Sequence, residues 1–200
     1  MASTCRPSAS LAETLGVSRT TLREAIAALR EAGMVETRRG RGGGTVVTYR
    51  APAPGSQRLR SEGAALRDAL EFRRVVEPGA AALAARRDLS ADQRAWLVAS
   101  RVAVEGADDV AEHRQADSRL HLAIAALSGS DLLVASVTQV QAMVHEMLVA
   151  IPVLAPNIAH SNAQHRAVVD AVLASDATTA RSAMETHCDA TSALLRGLLG

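Results

Sequence analysis

The stretch Leu11-Ala12-Glu13-Thr14-Leu15-Gly16-Val17-Ser18-Arg19-Thr20-Thr21-Leu22-Arg23-Glu24-Ala25 joins the end of a short helical pattern, over Ser8 to Leu15, to the start of a longer one. Gly16-Val17 lies between them, where glycine permits a tight turn, and Ser18 follows as a good N-cap for the second helix. From there Leu22, Ala25, Ile26, Leu29 and Ala32 recur at helical spacing, and Gly33 stands where a C-cap glycine belongs. That stripe is expected to face inward. The opposite side and first turn present Arg19, Thr20, Thr21, Arg23 and Arg30, residue types that contact phosphates, guanine edges and thymine methyls. Helix, turn and helix in this order, with a basic outer face, point to double-stranded DNA.

Outward from this unit, Met34–Thr37 and Thr45–Thr48 read as short strands around Arg38-Arg39-Gly40-Arg41-Gly42-Gly43-Gly44. The spacing predicts a hairpin with a basic, glycine-rich tip, in effect a wing. Its glycines let the backbone approach DNA, and its arginines suit the negative potential of a narrow minor groove. Further on, Ala51-Pro52-Ala53-Pro54-Gly55-Ser56-Gln57 reads as a linker, because its two prolines block helix continuation. The expected organisation is a DNA-binding domain over 1–50, a linker over 51–62 and a second domain over 63–200.

Charge divides at the same place. Residues 1–63 hold 10 Arg against 5 acidic residues and the remainder 12 Arg against 16, with no lysine anywhere. A basic piece joined to an acidic one suggests that the first meets a polyanion and the second does something else. Tyr49, Phe72 and Trp96 are the only aromatic residues, which excludes a base-stacking platform for single strands. Cys5 and Cys188 are too few for a disulfide framework and no apolar signal core opens the chain, so a cytoplasmic protein is expected. Leu132 to Leu154 is the greasiest stretch, but Thr138, Gln139, Gln141, His145 and Glu146 interrupt it. It reads as a buried helix, and no membrane partner is expected.

The second domain consists of Ala/Leu/Val-rich segments of helical period. Helices are expected at about 63–87, 90–105, 108–128, 131–150, 155–174 and 176–198, packed as an all-α bundle of six or seven helices, so the whole chain is mainly α. Ser90-Ala91-Asp92-Gln93 has the pattern of a capping box, Ser130-Asp131 opens a further helix, and Pro152 and Pro156 mark a break. Met143 and Met147 suit gaps in the core.

Asp117 and His121 lie one helical turn apart and point to one side, so they could share an ion. His165 and His187 sit in later helices among apolar neighbours and are expected to look inward. Three imidazoles and one carboxylate form a nitrogen and oxygen set suited to a divalent transition metal, Zn, Ni or Mn among them. The same residues are also compatible with a surface Asp/His pair and hydrogen-bonded core histidines, and spacing alone does not choose. His113, His145 and His160 have no partners at ligand spacing, and Cys188 points about 100° away from His187 around its helix. No nucleophile elbow, P-loop or dinucleotide fingerprint is present.

The stretch from Leu11 to Ala25, with Gly33-Met34-Val35 and Arg38 to Thr45, resembles the winged helix-turn-helix of GntR-family repressors. The unit usually has one more helix before it, which this sequence is expected to lack, and Ala9 stands where the family commonly has an arginine. The resemblance implies DNA contacts by Ser18, Arg19, Thr20, Thr21 and Arg23, and by Arg39, Gly40 and Arg41 at the wing. Arg73-Arg74-Val75-Val76-Glu77-Pro78-Gly79, Asp117-Ser118-Arg119-Leu120-His121, His165 and His187 resemble the FCD effector domain of FadR-type members. That likeness implies a metal held by Asp117, His121, His165 and His187, a small carboxylate effector completing its coordination, and a homodimer acting as a repressor. Arg73 is then either a countercharge for the effector or a surface partner of Glu77. The alternative reading is a metal-dependent enzyme acting on a small organic acid.

Overall fold

The structure, a computed structural model, describes residues 11–13, 18–38, 44–48, 56–149, 151 and 154–199. The chain divides into two compact units, residues 1–53 with 152–158, and residues 54–151 with 159–200.

In the first unit residues 11–13 are helical, and Ser18 caps helix α1, Arg19–Glu31, its hydroxyl accepting from Thr21 N. The helix ends as the glycine predicts. Gly33 takes φ +70°, while Gly33 N and Met34 N donate back to the carbonyls of Arg30 and Leu29, which is the Schellman pattern. Strands β1, Val35–Arg38, and β2, Gly44–Val47, pair antiparallel with Val35 opposite Val47. Each lies one residue away from its expected span. Thr48 anchors the end of the hairpin, donating from N to Met34 O and from its hydroxyl to Gly33 O. Leu22, Met34, Val35 and Val46 are buried, Ile26 and Leu29 are half-buried and Ala25 is exposed. The inward stripe is therefore narrower than periodicity suggests. Residues 39–43, which include Arg39, Gly40 and Arg41, lie outside the described residues, as do 1–10 and 14–17.

Among the described residues six further helices follow, α2 Ser56–Ala85, α3 Ala91–Glu105, α4 Val110–Leu127, α5 Asp131–Val149, α6 Ala155–Leu173 and α7 Ala177–Leu199, all in the second unit except the first residues of α6. Helix α2 begins at Ser56 rather than near residue 63, so the linker expected to run to 62 is helical in its second half. The prolines at 52 and 54 do not reach past Ser56, and Gln57-Arg58-Leu59-Arg60 contains good helix formers. Caps follow the sequence. Ser90 and Gln93 form the reciprocal capping box of α3, Asp109 caps α4 and Asp176 caps α7.

Helix α2 is central and packs against α4, α5 and α7, while α3 packs on α4 and α4 on α5. One apolar cluster gathers Ala81, Ala84, Leu97, Leu120, Ile124, Val168, Val172 and Met184, and a second gathers Leu66, Leu70, Val76, Ala125, Val137, Val144 and Leu195. Helices α2, α4 and α7 contribute to both clusters.

Helix α5 corrects the expectation of a fully buried helix. Only Val137, Val140, Gln141 and Val144 are buried, and Leu132 is 82% exposed. By length and composition α5 also satisfies the requirement for crossing a membrane. Its buried face belongs to the second apolar cluster of the bundle.

Candidate metal and DNA sites

Three helices bring the predicted ligands together. Asp117 and His121 share one face of α4, His165 comes from α6 and His187 from α7. The three imidazoles are buried, and one nitrogen of each lies within 4.8 Å of the others. Asp117 Oδ1 is 3.3 Å from His165 Nε2, and its Oδ2 is 3.9 Å from His121 Nε2. The rings of His165 and His187 stand 4.5 Å apart, centre to centre.

Each ring is held differently. Gln164 Oε1 accepts from His187 Nδ1 at 3.2 Å, and the same amide donates from Nε2 to His160 Nε2 at 3.0 Å. That fixes the proton of His187 on Nδ1 and turns its Nε2 lone pair to the interior. His121 Nδ1 lies 2.9 Å from Glu77 Oε2, off the line of a good hydrogen bond. His165 is different again: neither of its buried nitrogens has a hydrogen-bond partner among the described residues.

Burial pushes the His165 imidazole down to a pKa of about 4, against the attraction of Asp117. His187 is also held well below the usual histidine value, first by burial and then by its neighbours His165 and Arg73. Both rings are therefore neutral near pH 7 and offer lone pairs. A buried neutral imidazole that makes no hydrogen bond is costly, and a divalent cation would satisfy it. The donor set, three nitrogens and one carboxylate, fits such an ion.

Beside the cluster lies the polar pair for which the sequence allows two places. Arg73 and Glu77 do pair, Nε to Oε2 at 3.0 Å, but each is 2% exposed rather than on the helix surface. Gln141 Nε2 donates to Glu77 Oε1 at 2.6 Å, and Cys188 Sγ lies 3.7 Å from Oε2. Burial alone would raise the Glu77 pKa, but Arg73 and His121 overcome it and hold the carboxyl well below the ordinary range. Burial pushes the Cys188 thiol up, so it is protonated, consistent with packing.

Glu77, Gln141 and Gln164 were absent from the expected site. A signal for the first was present: Leu66, Leu70, Ala80 and Ala84 form a buried stripe on α2, and Arg73 and Glu77 fall within its period. Gln141 likewise falls on the stripe of Val137 and Val144. His113 is buried, its Nδ1 3.1 Å from Val104 O, whereas His160 is exposed and His145 half-buried.

In the first unit Ser18, Arg19, Thr20, Thr21 and Arg23 are all exposed around the first turns of α1. Two of these side chains are engaged with each other, Ser18 Oγ lying 2.8 Å from Thr21 Oγ1.

Residues 7–47 match the gntR family of bacterial regulatory proteins, and residues 68–190 match the FCD domain, more than half of the chain. The chain belongs to the GntR family and carries an FCD domain. This GntR/FCD protein is a DNA-binding transcriptional regulator, in a family of regulators rather than enzymes. It is 33% identical over 189 residues to an L-lactate dehydrogenase operon regulatory protein of Escherichia coli (strain K12), covering 88% of this chain and 72% of the relative. It is 28% identical to the HTH-type transcriptional regulator LutR of Bacillus subtilis (strain 168), covering 94% and 89%. Among solved structures, a Streptococcus agalactiae GntR protein shares the fold with a TM-score of 0.57 at 23% identity, covering 96% of this chain and 90% of that one. A GntR family member from Pseudomonas syringae pv. tomato superposes with a TM-score of 0.55 at 20% identity, covering 99% and 78%. FCD domains are often metal-binding, and this one has a cluster of three histidines.

Proposed function

We propose that this regulator is a cytoplasmic repressor that senses a small carboxylate at a divalent transition metal, Zn, Ni or Mn, held by Asp117, His121, His165 and His187. The observation that carries the reading is His165, neutral and buried, with both nitrogens unpaired beside Asp117 and two further imidazoles. Charge supports an anionic ligand. Arg73 and Glu77 cancel, so one divalent cation with Asp117 leaves a single positive charge in a buried place, which a monocarboxylate neutralises. Arg73 has a buried Nη1 with no partner among the described residues, a donor suited to that carboxylate. The Escherichia coli relative is named for the L-lactate dehydrogenase operon, so L-lactate is the first acid to try.

Operator DNA is contacted, in this reading, by Ser18, Arg19, Thr20, Thr21 and Arg23, with Arg39, Gly40 and Arg41 at the hairpin tip. A homodimer supplies two recognition helices for a palindromic site, since one alone makes too few contacts for tight specific binding. The effector releases DNA through its different affinities for two states of the dimer.

The test is thermal unfolding with Zn, Ni or Mn, with and without L-lactate, other hydroxy acids, sugar acids and dicarboxylates. An acid should raise Tm only when the ion is present, and His165→Ala and His187→Ala should abolish both responses. Unchanged Tm with every ion, or ion-dependent shifts that survive in both variants, overturns the metal reading. Loss of sequence preference in Arg19→Ala and Arg23→Ala tests the DNA contacts separately.

A further inference from the structure

Arg73 points at the same lone pairs a metal would use. Its Nη2 lies 3.1 Å from His187 Nε2 and 3.5 Å from His121 Nε2, and all three side chains are buried. The direction of the first contact is fixed. Gln164 takes the His187 Nδ1 proton, its amide being oriented in turn by His160, so His187 Nε2 is an acceptor and Arg73 the donor. The guanidinium is tethered at its other end, where Nε donates to Glu77 Oε2 at 3.0 Å. Glu77 is itself secured by Gln141.

A nitrogen lone pair given to an N–H is not available to a cation. We propose that Arg73 is an internal competitor for the metal site, its Nη2 and the ion being alternative occupants of the lone pairs of His187 and His121. The inference rests on the metal reading above and adds a device to it. Arg73 sets an affinity threshold, which only ions with a strong preference for imidazole overcome. Ion binding also releases Nη2 from the histidines. With the unpartnered Nη1 it then forms a two-pronged donor suited to a carboxylate, still tethered to Glu77 through Nε. Ion and anion affinities are therefore coupled with positive sign, and the coupling is reciprocal.

The test uses the full chain and zinc alone as the probe, with affinity measured by competition against a chromophoric chelator. Arg73→Gln should bind zinc about tenfold more tightly or better, the effect of removing one charge-assisted hydrogen bond to a buried acceptor. His187→Ala should lose the site in either background. A wild-type site that His187→Ala abolishes, together with unchanged affinity in Arg73→Gln, overturns the competition while leaving the metal reading intact. Absence of zinc binding in both wild type and Arg73→Gln defeats the metal reading and the competition with it. Binding by Arg73→Gln alone supports both.

A second measurement needs no folded variant at position 73. In the wild-type protein the Arg73 Nε–H resonance, assigned by through-bond correlation to the Arg73 side-chain carbons, should shift when zinc is added, because the guanidinium exchanges its partners. A resonance that stays in place while zinc occupies the histidines rules the proposal out. Simple charge repulsion would weaken zinc binding without requiring that exchange.

Discussion

Arg73 and Glu77 form a salt bridge four residues apart on α2, with Nε 3.0 Å from Oε2 and neither side chain more than 2% exposed. Desolvating two charges is expensive, and the pair is sustained because each has further partners. Glu77 is reached by Gln141 and His121, and Arg73 by His121 and His187.

Breaking this pair should therefore cost far more than deleting it. Glu77→Leu leaves a buried guanidinium uncompensated and should lower stability by about 3–5 kcal/mol, whereas Arg73→Met with Glu77→Leu should recover most of the loss. Urea unfolding of the two single variants and the double variant measures it. A double variant no more stable than Glu77→Leu would show that packing, not charge, dominates.

Ser18 has a structural task as well as an exposed position at the head of α1. Its hydroxyl accepts from Thr21 N at 3.0 Å, so Ser18→Ala should destabilise the protein by about 1 kcal/mol. Ser18→Asp should keep the cap and even favour the helix dipole, yet weaken DNA binding by repelling phosphate. Stability and DNA affinity should thus separate in the aspartate variant, read by melting and by fluorescence anisotropy with duplex DNA.

Ser175 adopts φ +59° in the turn between α6 and α7, where Asp176 N donates to Ala171 O. An L side chain is unfavourable in this region and glycine is not. Ser175→Gly should stabilise the fold by about 0.5–1 kcal/mol, and a lower Tm for the variant would contradict the strain.

Acid should uncap α7. Hydrogen bonds from the Thr179 hydroxyl and Thr179 N hold the Asp176 carboxyl below its usual pKa of 3.8, with Thr178 N contributing less. The folded pKa being the lower one, this contribution is complete above 3.8 and is lost as pH falls through the folded value. Titration of the Asp176 carboxyl by NMR should give a midpoint under 3.8, and Asp176→Asn should flatten the acid limb of stability below about pH 4.

Secondary structure was largely legible because it is set locally. The Ser90 capping box, Gly33 at the end of α1 and the apolar periods of the bundle helices each depend on residues within a few turns, and all form where the sequence puts them. The failures have local causes too. Proline at 52 and 54 obscured a helix starting at Ser56, and the uncharged polar residues of α5 were read as interruptions, although Gln141 is a buried partner of Glu77.

The sequence by itself determined the helices, the chemistry of the ligand candidates and the turn that puts Asp117 beside His121, because helical pitch alone fixes which residues share a face. It did not decide that His165 and His187, from two other helices, meet that pair, nor that Arg73 and Glu77 lie inside rather than on the surface. Those outcomes depend on how α2, α4, α6 and α7 rotate and approach one another, which is set by the packing of residues far apart in the chain. Only the assembled bundle brings Arg73 Nη2 within 3.1 Å of His187 Nε2, a contact between residues 114 positions apart.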